Sequence, residues 1–434
     1  MTPLPSPFAK IPRYPLLYAT PSPIHPLPAL TSLLTQSHPR PNPPQSPRIT
    51  LYTKREDQSC PLACSGNKYR KLEYLIPDIL SPTPKYGTLA PGPNHGTLAT
   101  TPPTQPPAKE RKTTTLVTEG ALQSNHTIQV TSIANHLSLD SVIILHQATG
   151  GGFTASTNKP VFASTGNVQL ARLLGADIHV LDTATVSKST PISTNEEEEE
   201  EESRDDEVSS IFQSLQTKHQ KHPYWIPSGA SLHPLGGLGY ARCAFEIAVQ
   251  EKNANRTRTR FDYIFVACGS GSTLGGLIAG TKLLQKQEQN QHESNPLPPP
   301  RKIIGILTSP TRDRAYHEAR VLGFARQAAR LIGLDGERDV REEDVCVDER
   351  FAGTAYGELN GETREVVGMM AREEAVLLDP VYTGKVVRGM RHWVKEGEVA
   401  RDWLARGGQV EDEVNVLFIH TGGQSALSAY ADVV

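Results

Sequence analysis

A lysine in a short polar turn is the residue of this chain best suited to covalent chemistry. Lys68 lies in residues 65–73, which read SGNKYRKLE. A lysine amine can add to the carbon of an aldehyde or ketone, and the serine, glycine and asparagine before Lys68 are typical of a turn. An isolated Gly-Asn-Lys turn is far more often an exposed surface turn than a catalytic site, so Lys68 is a candidate for a covalent bond with a small molecule whose assignment depends on the other motifs of the chain.

A glycine-rich segment in the second half of the chain is suited to binding a phosphate. Residues 269–276 read GSGSTLGG and follow an apolar run at 263–267 that predicts a strand. Small residues at the start of a helix let several backbone amides and hydroxyls point at one anion. The segment is neither a nucleotide P-loop nor a dinucleotide fingerprint, because its spacing differs from both. The residues expected to bind phosphate are Gly269, Ser270, Gly271, Ser272 and Thr273.

Further polar turns carry groups that can bind an anion or move a proton. Residues 120–126 (GALQSNH) and 418–427 (FIHTGGQSAL) each connect a predicted strand to a helix. The unpaired N–H groups of a first helical turn attract a carboxylate. Tyr356 and Tyr382 stand in glycine-flanked turns, where a phenol can transfer a proton or hold a charged substrate group.

Strand and helix patterns alternate around these turns. Predicted strands occupy residues 113–118, 141–145, 177–181, 263–267 and 414–419. Predicted helices occupy residues 166–174, 238–251, 277–284, 362–374 and 384–395, and a further helix carries apolar residues at 130, 133, 134 and 137. Such alternation indicates parallel sheets covered by helices. We expect an α/β protein of two domains with a cleft between them.

Three segments differ in composition from the rest. Residues 81–112 are rich in proline, threonine and glycine, residues 187–210 contain seven consecutive glutamates, and residues 285–300 are rich in glutamine, asparagine and proline. None shows apolar periodicity, so we predict that all three are disordered surface insertions.

Composition narrows the class of protein. The 434 residues carry a formal charge of −3 and form no basic face, so we expect a small-molecule partner and no nucleic acid. No apolar run approaches the roughly 20 residues that a membrane span requires, and the N-terminus lacks a signal pattern. Five cysteines show no zinc spacing and are an odd number for a disulfide framework. We expect a cytoplasmic protein with reduced thiols and no metal.

The motifs resemble, in order along the chain, a known enzyme family. Residues 11–27, 65–73, 120–126, 226–240, 269–276, 378–385 and 418–427 are similar to pyridoxal-phosphate enzymes of the tryptophan-synthase-β type (fold type II). The branch is that of 1-aminocyclopropane-1-carboxylate deaminase and D-cysteine desulfhydrase. The resemblance implies a large cofactor-binding domain (residues 1–71 and 228–434), a small domain (residues 72–227), a cofactor in the cleft, and a homodimer.

The same resemblance assigns roles to residues. It implies that Lys68 binds pyridoxal phosphate covalently, that the loop at 269–273 binds its phosphate, and that Asn125 contacts its phenolic oxygen. It places the turn of Thr421 beside the pyridine ring, as well as Thr383. The substrate carboxylate is expected at Ser124, Asn125 and His126. The catalytic set implied is Lys68, Ser124, Tyr356 and Tyr382.

Two threonines distinguish the branches. Deaminases that open the cyclopropane ring carry Glu after the matching tyrosine and Leu in the matching turn, whereas this chain has Thr383 and Thr421. A carboxylate keeps the pyridine nitrogen protonated, and a hydroxyl cannot hold a full charge. A thiol leaves more readily than carbon, so β-elimination from cysteine needs a weaker electron sink. We predict that D-cysteine is converted to pyruvate, ammonia and hydrogen sulfide; the handedness follows from resemblance alone.

Two alternatives remain open from the sequence. The nearer is a 1-aminocyclopropane-1-carboxylate deaminase that forms 2-oxobutyrate and ammonia. The other is a protein that holds pyridoxal phosphate without catalysis. The group that removes the α-proton also stays open between Lys68 and a tyrosine.

Overall fold

The computed structural model describes residues 3–35, 46–88, 112–149, 159–184, 194–253, 260–289, 299–310 and 312–430. The strands in this part of the chain are β1 (Ile24–Pro26), β2 (Arg48–Arg55), β3 (Thr115–Ala121), β4 (Asp140–Thr149), β5 (Asp177–Ala184), β6 (Pro223–Ile226), β7 (Tyr263–Cys268), β8 (Lys302–Leu307), β9 (Cys346–Asp348) and β10 (Glu413–His420). The helices are α1 (Pro28–Thr35), α2 (Asn67–Ile79), α3 (Asn125–His136), α4 (Lys159–Phe162), α5 (Asn167–Leu173), α6 (Thr194–Thr217), α7 (Leu238–Asn253), α8 (Ser272–Gln289), α9 (Arg314–Leu331), α10 (Gly336–Asp339), α11 (Gly361–Glu374), α12 (Thr383–Lys395) and α13 (Glu398–Ala405).

The larger sheet has six strands in the order β1-β2-β10-β7-β8-β9. All neighbours are parallel except β1 and β2. At its centre Val416 pairs with Leu51 on one side and Tyr263 on the other, and β10 is buried from Val414 to His420. Continuous burial is typical of a parallel strand that helices cover on both faces.

The smaller sheet is parallel throughout and has the order β5-β4-β3-β6. Leu116 of β3 pairs with Ser141 of β4 and with Tyr224 of β6. The predicted α/β class with mostly parallel sheets is therefore confirmed. The strands of the smaller sheet lie in residues 115–226, whereas α2 spans the proposed boundary at residue 71, so the domain boundaries stay a prediction.

Helix α2 is fixed in place by buried charges. The completely buried Arg70 donates from Nε to Glu56 Oε2 at 2.8 Å, and its Nη1 lies 2.9 Å from Glu246 Oε2. Glu73, also completely buried, lies 2.9 Å from Arg13 Nη1. Removing one partner of such a pair leaves a buried charge, at a cost of about 3–5 kcal/mol. These contacts therefore fix the position of α2 against the rest of the fold.

For two of the three insertions, the prediction of disorder is wrong in part. Residues 194–210 belong to helix α6, and residues 285–289 belong to α8. Helix α6 packs on the smaller sheet through the buried residues Val208, Phe212 and Leu215. This apolar stripe begins after the acidic run, and the stripe and the run belong to one helix. In α8 the Gln-Lys-Gln-Glu-Gln segment consists of good helix formers. Residues 89–111, 187–193 and 290–298 lie outside the described residues.

The first insertion is anchored at both ends beside β6. Near its start, Trp225 donates its backbone N–H to the Gly87 carbonyl at 2.6 Å, and Tyr86 N–H donates to Asp78 at 3.1 Å. After it, Thr114 N–H donates to the His222 carbonyl at 2.9 Å. The chain thus leaves and rejoins the smaller sheet at neighbouring points.

None of the helices in the described ranges combines the length and the apolar composition that a bilayer crossing requires.

Close helix packing generates a stability prediction. A Cβ atom on Gly280 of α8 would lie 2.3 Å from the Ala241 carbonyl oxygen of α7, whereas one on Gly361 would meet no atom within 4 Å. We expect Gly280→Ala to lower the free energy of unfolding by about 1–3 kcal/mol, because two backbones must separate. Urea unfolding measures the change. The matched control Gly361→Ala is expected to stay within about 1 kcal/mol of wild type; equal effects of the two changes would contradict this packing.

Candidate functional site

Lys68 is positioned by contacts from two different segments. It is the second residue of α2, whose first residue, Asn67, donates its backbone N–H to the Thr421 carbonyl at 3.1 Å. The Lys68 N–H donates to Gln129 Oε1 of α3 at 3.1 Å. A Cβ on Gly66 would lie 2.8 Å from the Thr421 oxygen. The glycine before the lysine therefore permits the close approach of the turn that follows β10.

The Lys68 amine is suited to nucleophilic and base chemistry. Burial lowers its pKa to about 8, and the nearby Asp379 carboxylate opposes that shift. The described residues place no carboxylate within ion-pair distance of the amine, and its Nζ lies 5.4 Å from the centre of the Tyr382 ring. A substantial fraction of the amine is therefore neutral near pH 8, which is the form that attacks a carbonyl.

The predicted phosphate loop lies at the N-terminus of α8. Gly269 and Ser270 follow β7, Gly271 has a φ of +96°, and α8 begins at Ser272. A Cβ on Gly271 would lie 3.2 Å from Phe324 side-chain atoms of α9, so glycine suits this position for both backbone and space. The side chain of Asn67 donates to Thr273 Oγ1 at 3.2 Å, which ties the loop to the helix of Lys68.

A second lysine, which the sequence reasoning missed, faces the same loop. Lys71 is completely buried, and its Nζ donates to Ser272 Oγ and to the Gly229 carbonyl, both at 2.9 Å. Burial and the neighbouring Lys68 amine lower the pKa of Lys71 well below its ordinary value. Its spacing of three residues from Lys68, which places both on one helical face, is the signal that could have found it.

The turn before α3 presents hydroxyl and amide groups. Ser124 caps the helix, and its Oγ accepts the His126 N–H at 3.2 Å. The His126 ring points away from this turn: its Nε2 lies 2.9 Å from Thr118 Oγ1, whose proton is donated to the Ile226 carbonyl. Burial, with the charges of Lys68 and Lys71, lowers the pKa of His126, so its ring is neutral. Ser124 and Asn125 are thus the residues of this turn whose side chains are available to the site, whereas the His126 N–H and ring are both used within the fold.

The two predicted tyrosines form a pair beside Lys68. The hydroxyl oxygens of Tyr356 and Tyr382 are 2.6 Å apart. Burial raises the pKa of both phenols, so both keep their protons at neutral pH. One of the two protons bridges the oxygens, and the other remains available for donation to a bound molecule. A Cβ on Gly269 would lie 3.5 Å from the Tyr382 ring, so the pair also borders the glycine-rich loop.

A buried carboxylate that the sequence reasoning missed lies behind this pair. Asp379 is completely buried; its Oδ2 accepts the N–H groups of Val381 and Tyr382, and its Oδ1 accepts the Thr383 N–H and hydroxyl, all at 2.6–3.0 Å. Burial is the main cause that raises the pKa of Tyr382; the hydrogen bond with Tyr356 lowers it, and the Asp379 charge raises it further. Asp379 lies directly before a proline in the sequence, which made a plain turn the simpler interpretation.

The two threonines differ in their access to the site. Thr383 is completely buried, its hydroxyl donates to Asp379 Oδ1 at 2.6 Å, and its Oγ accepts the Asp379 N–H at 2.7 Å. Thr421 is 4% exposed and precedes Gly422 and Gly423, both of which have positive φ. A Cβ on Gly423 would lie 2.6 Å from the Asp379 carboxyl carbon. Thr421 is thus the slightly more exposed residue of the two.

These residues fit a small molecule that carries an aldehyde and a phosphate. The loop at α8 and the Lys71 amine provide hydrogen-bond donors for a phosphate, whose negative charge would in turn favour the protonated form of that amine. The partly neutral Lys68 amine provides the nucleophile for an aldehyde. In the part of the chain that the structure describes, no three His, Cys, Asp or Glu side chains come together as a metal site.

Comparison with known proteins agrees with this fit. The family model "Pyridoxal-phosphate dependent enzyme" matches residues 18–422. The 1-aminocyclopropane-1-carboxylate deaminase of Burkholderia vietnamiensis (strain G4 / LMG 22486) is 33% identical over 424 residues, which cover 98% of each chain. A probable 1-aminocyclopropane-1-carboxylate deaminase of Cryptococcus neoformans var. neoformans serotype D is 33% identical and covers 97% of this chain and 95% of its own.

A solved structure shows the same architecture. The crystal structure of an ACC deaminase homologue is 26% identical, covers 98% of this chain and 96% of its own, and has a TM-score of 0.65. The predicted family, fold class and cofactor are therefore confirmed. The chain belongs to the pyridoxal-phosphate-dependent enzyme family and is an enzyme of the tryptophan-synthase-β-like fold (fold type II).

Proposed function

We propose that the enzyme catalyses β-elimination of D-cysteine to pyruvate, ammonia and hydrogen sulfide. The observation that carries the proposal is that the Thr383 hydroxyl and the Asp379 carboxylate are both buried and are hydrogen-bonded to each other. Bound pyridoxal phosphate supplies an electron sink for the bonds of the substrate α-carbon, and the protein selects which bond breaks.

The Asp379 carboxylate is fully occupied by its own turn. Its two oxygens accept four hydrogen bonds, from three backbone N–H groups and the Thr383 hydroxyl. This carboxylate is therefore committed to its own turn. The residue that follows Tyr382 is Thr383, so a hydroxyl stands at the position where ring-opening deaminases have a glutamate. A weaker partner for the ring nitrogen suffices when the leaving group is a thiol, whose unperturbed pKa is about 8.5.

Lys68 is the group best placed to remove the α-proton. Because its pKa is about 8, a fraction of this amine is neutral near physiological pH, whereas the Tyr356 and Tyr382 phenols keep their protons. We assign proton abstraction to Lys68 and proton donation to the tyrosine pair. The Ser124 hydroxyl, the Asn125 amide and the first N–H groups of α3 bind the substrate carboxylate.

The loop at residues 269–273 and the amine of Lys71 hold the cofactor phosphate in this proposal. Asn125 would donate to the phenolic oxygen of the ring, and the hydroxyls of Thr421 and Thr383 would serve the ring nitrogen. A homodimer in the cytoplasm is proposed as well; the five free thiols fit a reducing compartment.

A second candidate function is ring opening of 1-aminocyclopropane-1-carboxylate. The names of the relatives from Burkholderia and Cryptococcus favour it, since both cover nearly all of this chain. The hydroxyls at Thr383 and Thr421 argue against it, because neither can hold a full positive charge on the ring nitrogen.

Parallel assays of the purified, cofactor-loaded enzyme test the substrate. We expect sulfide and pyruvate from D-cysteine, much less of both from L-cysteine, and little 2-oxobutyrate from 1-aminocyclopropane-1-carboxylate. Product formation is followed for each substrate at equal concentration. If 2-oxobutyrate is the dominant product, the deaminase is the correct function and the two threonines do not decide the chemistry.

Replacement of Lys68 by alanine tests the covalent role of that residue. Lys68→Ala is expected to lose both the visible absorbance of covalently attached cofactor and the sulfide production, because Lys68 supplies the amine that bonds to the aldehyde in this proposal. The matched control is Lys282→Ala, which removes a partly buried lysine paired with Asp344 and is expected to keep both. Retained covalent attachment in Lys68→Ala would disprove the assignment.

Replacement of Asp379 tests whether its charge raises the pKa of Lys68. In the wild type the rate of covalent cofactor loading is expected to rise with pH and to reach half its maximum near pH 8, because only the neutral Lys68 amine reacts. Asp379 favours the charged amine, so Asp379→Asn is expected to move this midpoint roughly half a pH unit or more downward. Stopped-flow absorbance measures the midpoint.

The matched control for this change is Asp335→Asn, which alters an exposed carboxylate at the start of α10 and preserves its capping role. Its midpoint is expected to equal that of the wild type. An unchanged or higher midpoint in a folded Asp379→Asn variant would show that Asp379 does not set the charge of Lys68.

A further inference from the structure

A chain of side-chain amides connects three segments that border the site. Asn125 opens α3, Asn167 opens α5, and Ser425 lies in the turn that follows β10. Asn167 is 1% exposed and donates from Nδ2 to Asn125 Oδ1 at 2.8 Å. Ser425 Oγ donates to Asn167 Oδ1 at 2.6 Å. None of the roles assigned so far uses Asn167.

Backbone groups determine which way each amide points. Gln123 donates from Nε2 to the carbonyl oxygens of Phe162 and Thr165, and its Oε1 accepts the Asn167 backbone N–H at 2.9 Å. Carbonyl oxygens can only accept and N–H groups can only donate. The orientation of the Gln123 amide is therefore fixed.

The same argument fixes the Asn167 side chain. Its Nδ2 donates to the Gln123 carbonyl oxygen at 3.0 Å, so the nitrogen must lie on that side. The second proton of this nitrogen points to Asn125, and the atom of Asn125 that receives it must be the acceptor Oδ1. Asn167 Oδ1, on the other side, accepts the Ser425 hydroxyl.

The Asn125 amide nitrogen is left facing the turn at residues 421–423. A Cβ placed on Gly423 would lie 2.8 Å from Asn125 Nδ2. Because Asn125 Oδ1 is occupied by Asn167, the side chain can only donate a hydrogen bond into the site. The complementary partner is an acceptor atom, and a negatively charged oxygen is the strongest acceptor of this kind.

We propose that Asn167 is a positioning residue that holds the Asn125 amide as a permanent donor toward a negatively charged oxygen on the ring of the bound cofactor. The inference rests on the proposed contact between Asn125 and that oxygen. It does not depend on which amino acid is the substrate. Asn167 itself touches neither cofactor nor substrate in this proposal; it acts through Asn125.

The test uses the cofactor-loaded enzyme without substrate. A donor at the ring oxygen favours the form in which that oxygen has lost its proton, so it lowers the pH midpoint of the visible absorbance change of the bound cofactor. We expect Asn125→Ala to raise this midpoint by roughly one pH unit. Asn167→Ala is expected to raise it by a smaller amount, because the freed Asn125 amide then samples both orientations.

A double-mutant cycle separates positioning from a general structural effect. If Asn167 acts through Asn125, then adding Asn167→Ala to Asn125→Ala shifts the midpoint no further. Additive shifts, or an unchanged midpoint in Asn167→Ala alone, would overturn the proposal. Circular dichroism and cofactor content are measured for each variant.

An isosteric change carries the same test if the alanine variant does not fold. In Asn167→Asp the carboxylate can only accept, so the Asn125 amide turns round and presents its oxygen to the site. The pH midpoint is expected to rise further than in Asn167→Ala. The part of this rise that is due to the new charge is measured by adding Asn167→Asp to Asn125→Ala, where no Asn125 amide can turn.

The matched control is Asn135→Asp. Asn135 is an exposed residue of α3, the helix that begins at Asn125, and it donates to the Leu174 carbonyl. Its midpoint is expected to remain that of the wild type. The proposed function fails separately, through the products of the substrate assays, whereas this inference fails only through the absorbance midpoint of the resting enzyme.

Discussion

The position of α2 is the constraint on which the site depends. A single turn of this helix buries Arg70, Lys71 and Glu73, and each side chain contacts a different part of the fold. Burying these charges is tolerable only because every one finds a partner, since a buried charge without one costs several kcal/mol. The same pairs fix the rotation of the helix, and that rotation determines where the Lys68 amine points.

The charge balance of the site explains why it suits an anionic ligand. Lys68, Lys71 and Lys385 bring three amines into a small region, and Lys385 donates to the carbonyls of Thr308 and Ala352. Burial lowers the pKa of all three amines, to about 8 in Lys68 and Lys385. The Asp379 carboxylate raises the pKa of Lys68, Lys385 and both tyrosines of the pair. A phosphate at the α8 loop adds the negative charge that would stabilise the charged form of Lys71.

Local pattern was sufficient for the elements that carry the site. The apolar runs before residues 269 and 421 and the polar turn at residue 124 indicated strand ends and helix starts, where the structure has them. Glutamate-rich α6 was missed, because its apolar stripe begins after the acidic run and only tertiary packing on the smaller sheet selects the helix. The strands β2 and β8 were not predicted, because charged residues flank the short apolar core of β2 and immediately precede that of β8.

Long-range contacts were beyond what the sequence could provide. The partners of Asp379 are local, but its position beneath Gly423 depends on two segments more than forty residues apart meeting in space. The burial of the Thr383 hydroxyl against Asp379 likewise follows from how α12 docks. Lys71 could have been found from helical spacing alone, since it lies on the same face as Lys68.

Residues 87 and 114 are both anchored beside β6, so the arrangement of the smaller sheet does not depend on how many residues lie between them. Both attachment points are hydrogen-bonded to a stretch of only four residues, from His222 to Trp225. The framework therefore requires only that the intervening chain close a short gap. Each doubling of such a connection costs only about 0.6 kcal/mol in closure entropy. Chains of very different total length can thus share this catalytic framework, and the extra residues are free to change without altering the chemistry.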